Sequence, residues 1–113
     1  MSNVFIVTIN YTDELNNHNS VKDTFYETPA DANHAAWETY DRYLDDLVEY
    51  WDKRGDEDKT NRYTKFIREI KDLKIKAGVD EAYARNDGRC HTYFANVGDG
   101  HLVVSVKQLK EAV

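Results

Sequence analysis

Between Pro29 and Lys53 the hydrophobic positions recur every three or four residues. At 100° per residue, Ala32, Ala36, Tyr40, Tyr43, Leu44, Leu47, Val48 and Trp51 fall on one side of a helix, with Trp37 at its edge. His34, Glu38, Asp41, Arg42, Asp45, Asp46, Glu49, Asp52 and Lys53 fall on the other. The start is equally clear: Thr28 can cap through its hydroxyl, Pro29 suits the first helical position, and Asp31 stands where a carboxylate can close a capping box. The pattern predicts a helix laid over a core with its charged back in water. The left-handed preference of Gly55, followed by charged residues to Lys59, predicts where it ends.

The other segments carry different periods. Val4 to Ile9 is β-branched and aromatic without a helical stripe, and predicts a strand buried on part of both faces, hence central in its sheet. Asp13 to Ser20 predicts an exposed polar loop, and Val21 to Glu27 a second strand with Phe25 inward, the two strands forming a long-looped hairpin. A second helix capped at Thr60 or Asn61 is predicted to about Ala77, with Tyr63, Phe66, Ile67, Ile70, Lys74 and Ala77 on one face, Leu73 beside them and Gly78 as its stop. Residues 79–85 suit either a helical turn or a short strand leading to Asn86-Asp87-Gly88. Arg89 to Ala95 and His101 to Lys107 read as strands joined by a tight turn at Val97-Gly98-Asp99-Gly100, with Leu102, Val104 and Val106 on the more buried face. The last four residues, Lys110 to Val113, are predicted to fray.

Two strands, two helices and two strands make a single α+β domain over residues 1–113. The simplest arrangement is a two-layer one, a four-stranded antiparallel sheet with both helices on one face. A central first strand then lies beside one of the C-terminal strands.

Charge sharpens this picture. Net charge is −6, but residues 1–59 hold 14 acidic and 5 basic side chains while residues 60–113 hold 7 acidic and 10 basic. The first helix is therefore acidic and the second basic, and an antiparallel pair would attract along its shared border. The single cysteine, Cys90, excludes an internal disulfide. With no apolar run near the roughly 20 residues of a membrane span, and no signal-peptide pattern, a soluble cytoplasmic protein without membrane association is expected.

The opening Val4-Phe5-Ile6-Val7-Thr8, the helix start Asp31-Ala32-Asn33 followed by Ala35-Ala36, and the C-terminal hairpin with its glycine turn at Val97 to Gly100 resemble small uncharacterised fungal proteins. The likeness covers the two ends and leaves Asp56 to Arg85 unmatched. It implies no activity and no site residue.

The candidate chemistry is sparse. His18, His34, Cys90, His91 and His101 could ligate a metal, but none is paired at a zinc spacing. Adjacent Cys90 and His91 point to opposite faces of a strand, and Asp31 with His34 supplies only two ligands. Cys90 facing His101 across the hairpin would be the one nucleophile–base arrangement available to a small enzyme or ligand-binding protein; a small apolar filler is the simpler role for that thiol. The basic helix lacks aromatic residues interleaved on its charged face to stack bases, so direct nucleic-acid binding is not expected. No cofactor or metal is expected.

Two surface features remain. The acidic face, Glu38, Asp41, Asp45, Asp46, Glu49 and Asp52, has the spacing of a phosphate mimic that would inhibit a nucleic-acid-binding protein, and equally that of an ordinary solvated helix back. Trp37, Tyr40, Tyr50 and Trp51 are many large rings for one helix to bury, and stand as candidate interface anchors. The leading expectation is a non-catalytic protein that works through protein–protein contact, with itself as partner in a homodimer.

Overall fold

The computed structural model describes residues 4–13, 17–22, 24–58, 62–98 and 100–109, those at 55–58 and 85–87 through their backbone alone. The elements run β1 (Val4–Thr12), β2 (Asn17–Val21), α1 (Pro29–Asp58), α2 (Arg62–Asp87), β3 (Thr92–Val97) and β4 (Gly100–Leu109). The four strands form one antiparallel sheet in the order β2-β1-β4-β3, so the first strand is central and lies beside the last. This is the expected two-layer α+β architecture, with both helices on one face.

The core lies between the layers. Phe5, Val7 and Tyr11 of β1, Leu102, Val104 and Val106 of β4, and Tyr93, Ala95 and Val97 of β3 alternate toward the helices and are buried. Ala32, Ala36, Tyr40, Leu44, Leu47 and Trp51 of α1 meet them, as the helical period predicts. A fully buried Leu or Ile in such a layer contributes roughly 1.5–3 kcal/mol of transfer free energy. Thr28 caps α1, its hydroxyl accepting from the Asp31 amide at 3.2 Å.

The helices are antiparallel. His34 meets Glu81, Asp41 and Asp45 meet Lys74, and Trp51 stacks on Tyr63 at 5.0 Å, so partners descend along α2 as they ascend along α1.

Neither glycine predicted to stop a helix does so. α1 runs through Gly55 to Asp58, and α2 through Gly78 to Asp87. A glycine inside a helix costs only about 1 kcal/mol. In α2 the buried series Tyr63, Ile70, Ala77 and Ala84 repeats every seven residues across Gly78 and outweighs that cost. The stop falls ten residues later at Gly88, whose φ of 71° is left-handed. Residues 79–85 are accordingly helical. The predicted caps at Thr60 and Asn61 and the fraying of residues 110–113 lie outside the described residues.

The second strand also differs from expectation. It is Asn17–Val21, four of its five residues in the segment expected to be a loop and only Val21 in the expected strand, whereas Phe25, expected to point inward, is 65% exposed. Beyond β2, the Lys22 amide donates to the Val7 carbonyl at 3.0 Å, and Tyr26 exchanges both backbone hydrogen bonds with Phe5 at 2.8 and 2.9 Å. As an edge strand β2 is held by backbone pairing to β1 and needs no apolar face. At the opposite edge the Val97↔Gly100 pairing closes the tight β3–β4 turn as predicted, with Gly98 at a φ of 61°.

Candidate functional site

Each expected site residue has a definite place. Of the four proposed anchors, Tyr40 and Trp51 are buried in the chain's own core, Trp37 is half-buried against it, and Tyr50 is 41% exposed. Tyr40 stacks on Tyr93 at 5.5 Å and donates its hydroxyl to the Phe94 carbonyl at 2.9 Å. Burial, followed by the Asp80 carboxylate, pushes its phenol up to about 12. Trp51 joins Tyr63 and Phe66 in an aromatic cluster. These two rings are committed within the monomer, so the burial that motivated an interface role for them is supplied by α2 and the sheet.

The acidic face is partly neutralised by the chain itself. The ammonium of Lys74 on α2 bonds Asp45 and lies 3.5 Å from Asp41. The Asp45 hydrogen bond is the chief cause that raises the lysine above its ordinary value. Glu38 lies 2.8 Å from the His34 ring, and Glu49 3.6 Å from Lys53. Four of the six carboxylates thus face a basic group, while Asp46 and Asp52 stand exposed on α1. The attraction expected between an acidic and a basic helix is realised at Lys74; such half-exposed pairs are worth at most about 1 kcal/mol.

The histidines and the thiol are dispersed. His34 places its two nitrogens 2.8 Å from Glu38 and Glu81, and Asp31 plays no part in that contact. His18 is exposed on β2, and His101 bonds Asn96 beside the β3–β4 turn. Cys90 precedes β3 at the other end of the hairpin, some six residues from the position opposite His101, or roughly 20 Å of extended chain. The Cys90–His101 pair is therefore not assembled. The thiol is exposed overall, and what burial it has pushes it above its ordinary value, away from the thiolate. Among the described residues no group of three or more His, Cys, Asp or Glu side chains could hold a metal ion, and no helix is long and apolar enough to cross a membrane.

Sequence reasoning passed over three features. Asn33, fully buried, donates to the Arg89 carbonyl at 2.6 Å and accepts from the His91 amide at 2.9 Å, so it clamps the first turn of α1 to the entrance of β3. Its signal was a polar residue among Ala32, Ala35 and Ala36. On α2, Ile75 (71% exposed), Val79 (54%) and Tyr83 (69%) form an outward stripe at four-residue spacing. The third lies where β1 ends against α1. There Tyr11, Asp13, Tyr43, Asp46, Leu47 and Tyr50 line an open cup of about 240 Å³.

Comparison with protein-family models, curated proteins and solved structures finds no match to this chain.

Proposed function

We propose that this protein is non-catalytic and works by protein–protein contact, with a second copy of itself as partner. The observation that carries the reading is the α2 stripe. Ile75, Val79 and Tyr83 are large apolar side chains one helical turn apart, and all three face away from the core. Contiguous exposed apolar surface of this kind marks interaction sites. It takes over the role that the sequence assigned to Tyr40 and Trp51.

Charge favours self-association. Exposed Lys65, Arg68 and Lys71 on α2 complement exposed Asp46, Glu49 and Asp52 on α1 of another copy. Exposed pairs are individually weak, so the apolar stripe has to supply most of the affinity. A cytoplasmic setting belongs to the same proposal and draws support from the single cysteine, which leaves no partner for an internal disulfide.

Light scattering tests the reading. The wild type is expected at twice its 13.2 kDa. Val79→Glu and Tyr83→Glu are expected to return it to a single chain with an unchanged circular-dichroism spectrum. A wild type that stays at one chain mass at the highest attainable concentration overturns the proposal, and so does a dimer that both variants leave intact.

A further inference from the structure

The cup between β1 and α1 brings together side chains that no single stretch of sequence holds. On α1, Tyr43, Asp46, Leu47 and Tyr50 follow at spacings of three, four and seven residues and so line one stripe. Tyr11 near the end of β1 and Asp13 just beyond it are joined by a hydrogen bond and both line the cup. The stripe crosses the end of the strand, and three phenol rings and two carboxylates converge on one space of about 240 Å³. The Tyr11 and Tyr43 rings lie 5.2 Å apart and are tilted by 43°, presenting an angled aromatic wall. The Tyr11 hydroxyl donates to Asp13 at 2.8 Å, which ties this largely buried ring to one of the two carboxylates.

We propose that this cup is a binding site for methylated ammonium groups. Ring faces carry negative quadrupole potential, and several rings around one cation form the aromatic cage that recognises quaternary ammonium. Asp13 and Asp46 add formal charge at the rim. The local field has the required sign: burial and then the carboxylates of Asp13 and Asp46 hold the Tyr43 phenol in its neutral form. Beside the cup, the Tyr50 ring already takes a cation from its own chain. The Arg54 guanidinium lies 5.4 Å from the Tyr50 ring centroid and donates to its hydroxyl at 2.7 Å.

The ligand class follows from hydration and shape. A bare metal ion or a primary ammonium group must shed tightly held water, for which aromatic faces are poor substitutes, and the described residues of the cup offer only two carboxylates. A trimethylammonium group is large, weakly hydrated and apolar at its surface, so ring faces suit it and distant carboxylates suffice. Zwitterions that carry their own carboxylate are disfavoured by Asp13 and Asp46. The same head group comes from two sources, a free choline-like molecule or the trimethylated side chain of a lysine in another protein.

The test is a titration of the full chain followed by NMR of the tyrosine rings. Tetramethylammonium chloride is the minimal probe, with sodium chloride at equal ionic strength as the reference. Choline is compared with 3,3-dimethylbutan-1-ol, its uncharged isostere, and a short peptide containing trimethyl-lysine forms the third arm. Saturable shifts of the Tyr43 and Tyr50 rings are expected with tetramethylammonium and choline, with the isostere weaker by roughly fivefold or more. Asp46→Asn and Tyr50→Leu, both at solvent-facing positions of α1, are expected to weaken binding several-fold while leaving the fold unchanged. Tighter binding of the peptide than of choline identifies a protein source, and the reverse identifies a small molecule; either supports the site. Failure of tetramethylammonium to saturate at millimolar concentrations overturns the proposal, as do equal affinities for choline and its isostere, or variants that bind like the wild type. Because Asp46 also belongs to the acidic face assigned to the dimer, every arm is run in the Val79→Glu background, so that the site and the dimer can fail separately.

Discussion

The two helices are nearly equal in length and lie side by side, yet they divide their residues differently. α1 keeps its apolar side chains on the sheet side, and what it shows to water is mostly charge. α2 buries a narrow seam of Tyr63, Ile70, Ala77 and Ala84 and turns Ile75, Val79 and Tyr83 outward. The difference teaches that amphipathicity reports how many faces a helix has to satisfy. α1 covers the sheet and is flanked by α2, so the side it leaves to water is its charged back. α2 lies along the β3 margin of the layer, packs against α1 and β3, and keeps apolar residues on a side that its own chain leaves open.

The largest break in this contrast comes from trimming the same kind of side chain on each helix. Leu44→Ala, at a fully buried position of α1, is expected to cost about 3 kcal/mol in urea unfolding. Ile75→Ala on α2 is expected to stay within about 0.5 kcal/mol under conditions where the chain is a monomer. Equal losses at the two sites would erase the distinction between a core face and an open one.

Alkaline pH sharpens the comparison at the α1–sheet layer. Tyr11, Tyr40 and Tyr43 all have phenols raised above their ordinary value of 10.0, mainly by burial. The folded chain thus holds protons that the unfolded chain releases above pH 10. Stability is full below that point and falls as pH rises through the value of about 12 for Tyr40. Thermal melts from pH 8 to 12 should show the midpoint dropping above pH 10, with a shallower drop in Tyr43→Phe. The exposed Tyr83 of α2 is not part of this buried layer.

The smallest effect tests the glycine within α2. Nothing lies within 4 Å of a Cβ placed on Gly78, so Gly78→Ala should raise stability by about 0.5–1 kcal/mol, read as a shift of a few degrees in Tm. A loss instead would mean that the helix needs a flexible joint there.

What could be read in the sequence follows from the same contrast. α1 was legible because Ala32 to Trp51 obey one period, and β4 because Leu102, Val104 and Val106 alternate with less buried neighbours. The second half of α2 was not: Gly78 breaks the pattern, and outward Ile75, Val79 and Tyr83 spread apolar residues around the axis. β2 was missed because its strand residues are almost all exposed and show no alternation. The aromatic cup was half visible. Tyr43, Asp46 and Tyr50 stood on the helix wheel, but Tyr11 and Asp13 reach them only through the fold, from some thirty residues away.

The pairing of β1 with β4 has a consequence for how the molecule is made. The Thr8 hydroxyl meets the Ser105 carbonyl across 97 positions of sequence, at the middle of the sheet. On the ribosome β1 emerges early and waits unpaired on its β4 side while the helical hairpin, whose contacts are local, can already form. The sheet closes only when β4 leaves the exit tunnel, so the central ladder is among the last structures to assemble. Until then Val4 to Ile9 lacks its β4 partner, and that interval is when the chain is most exposed to aggregation.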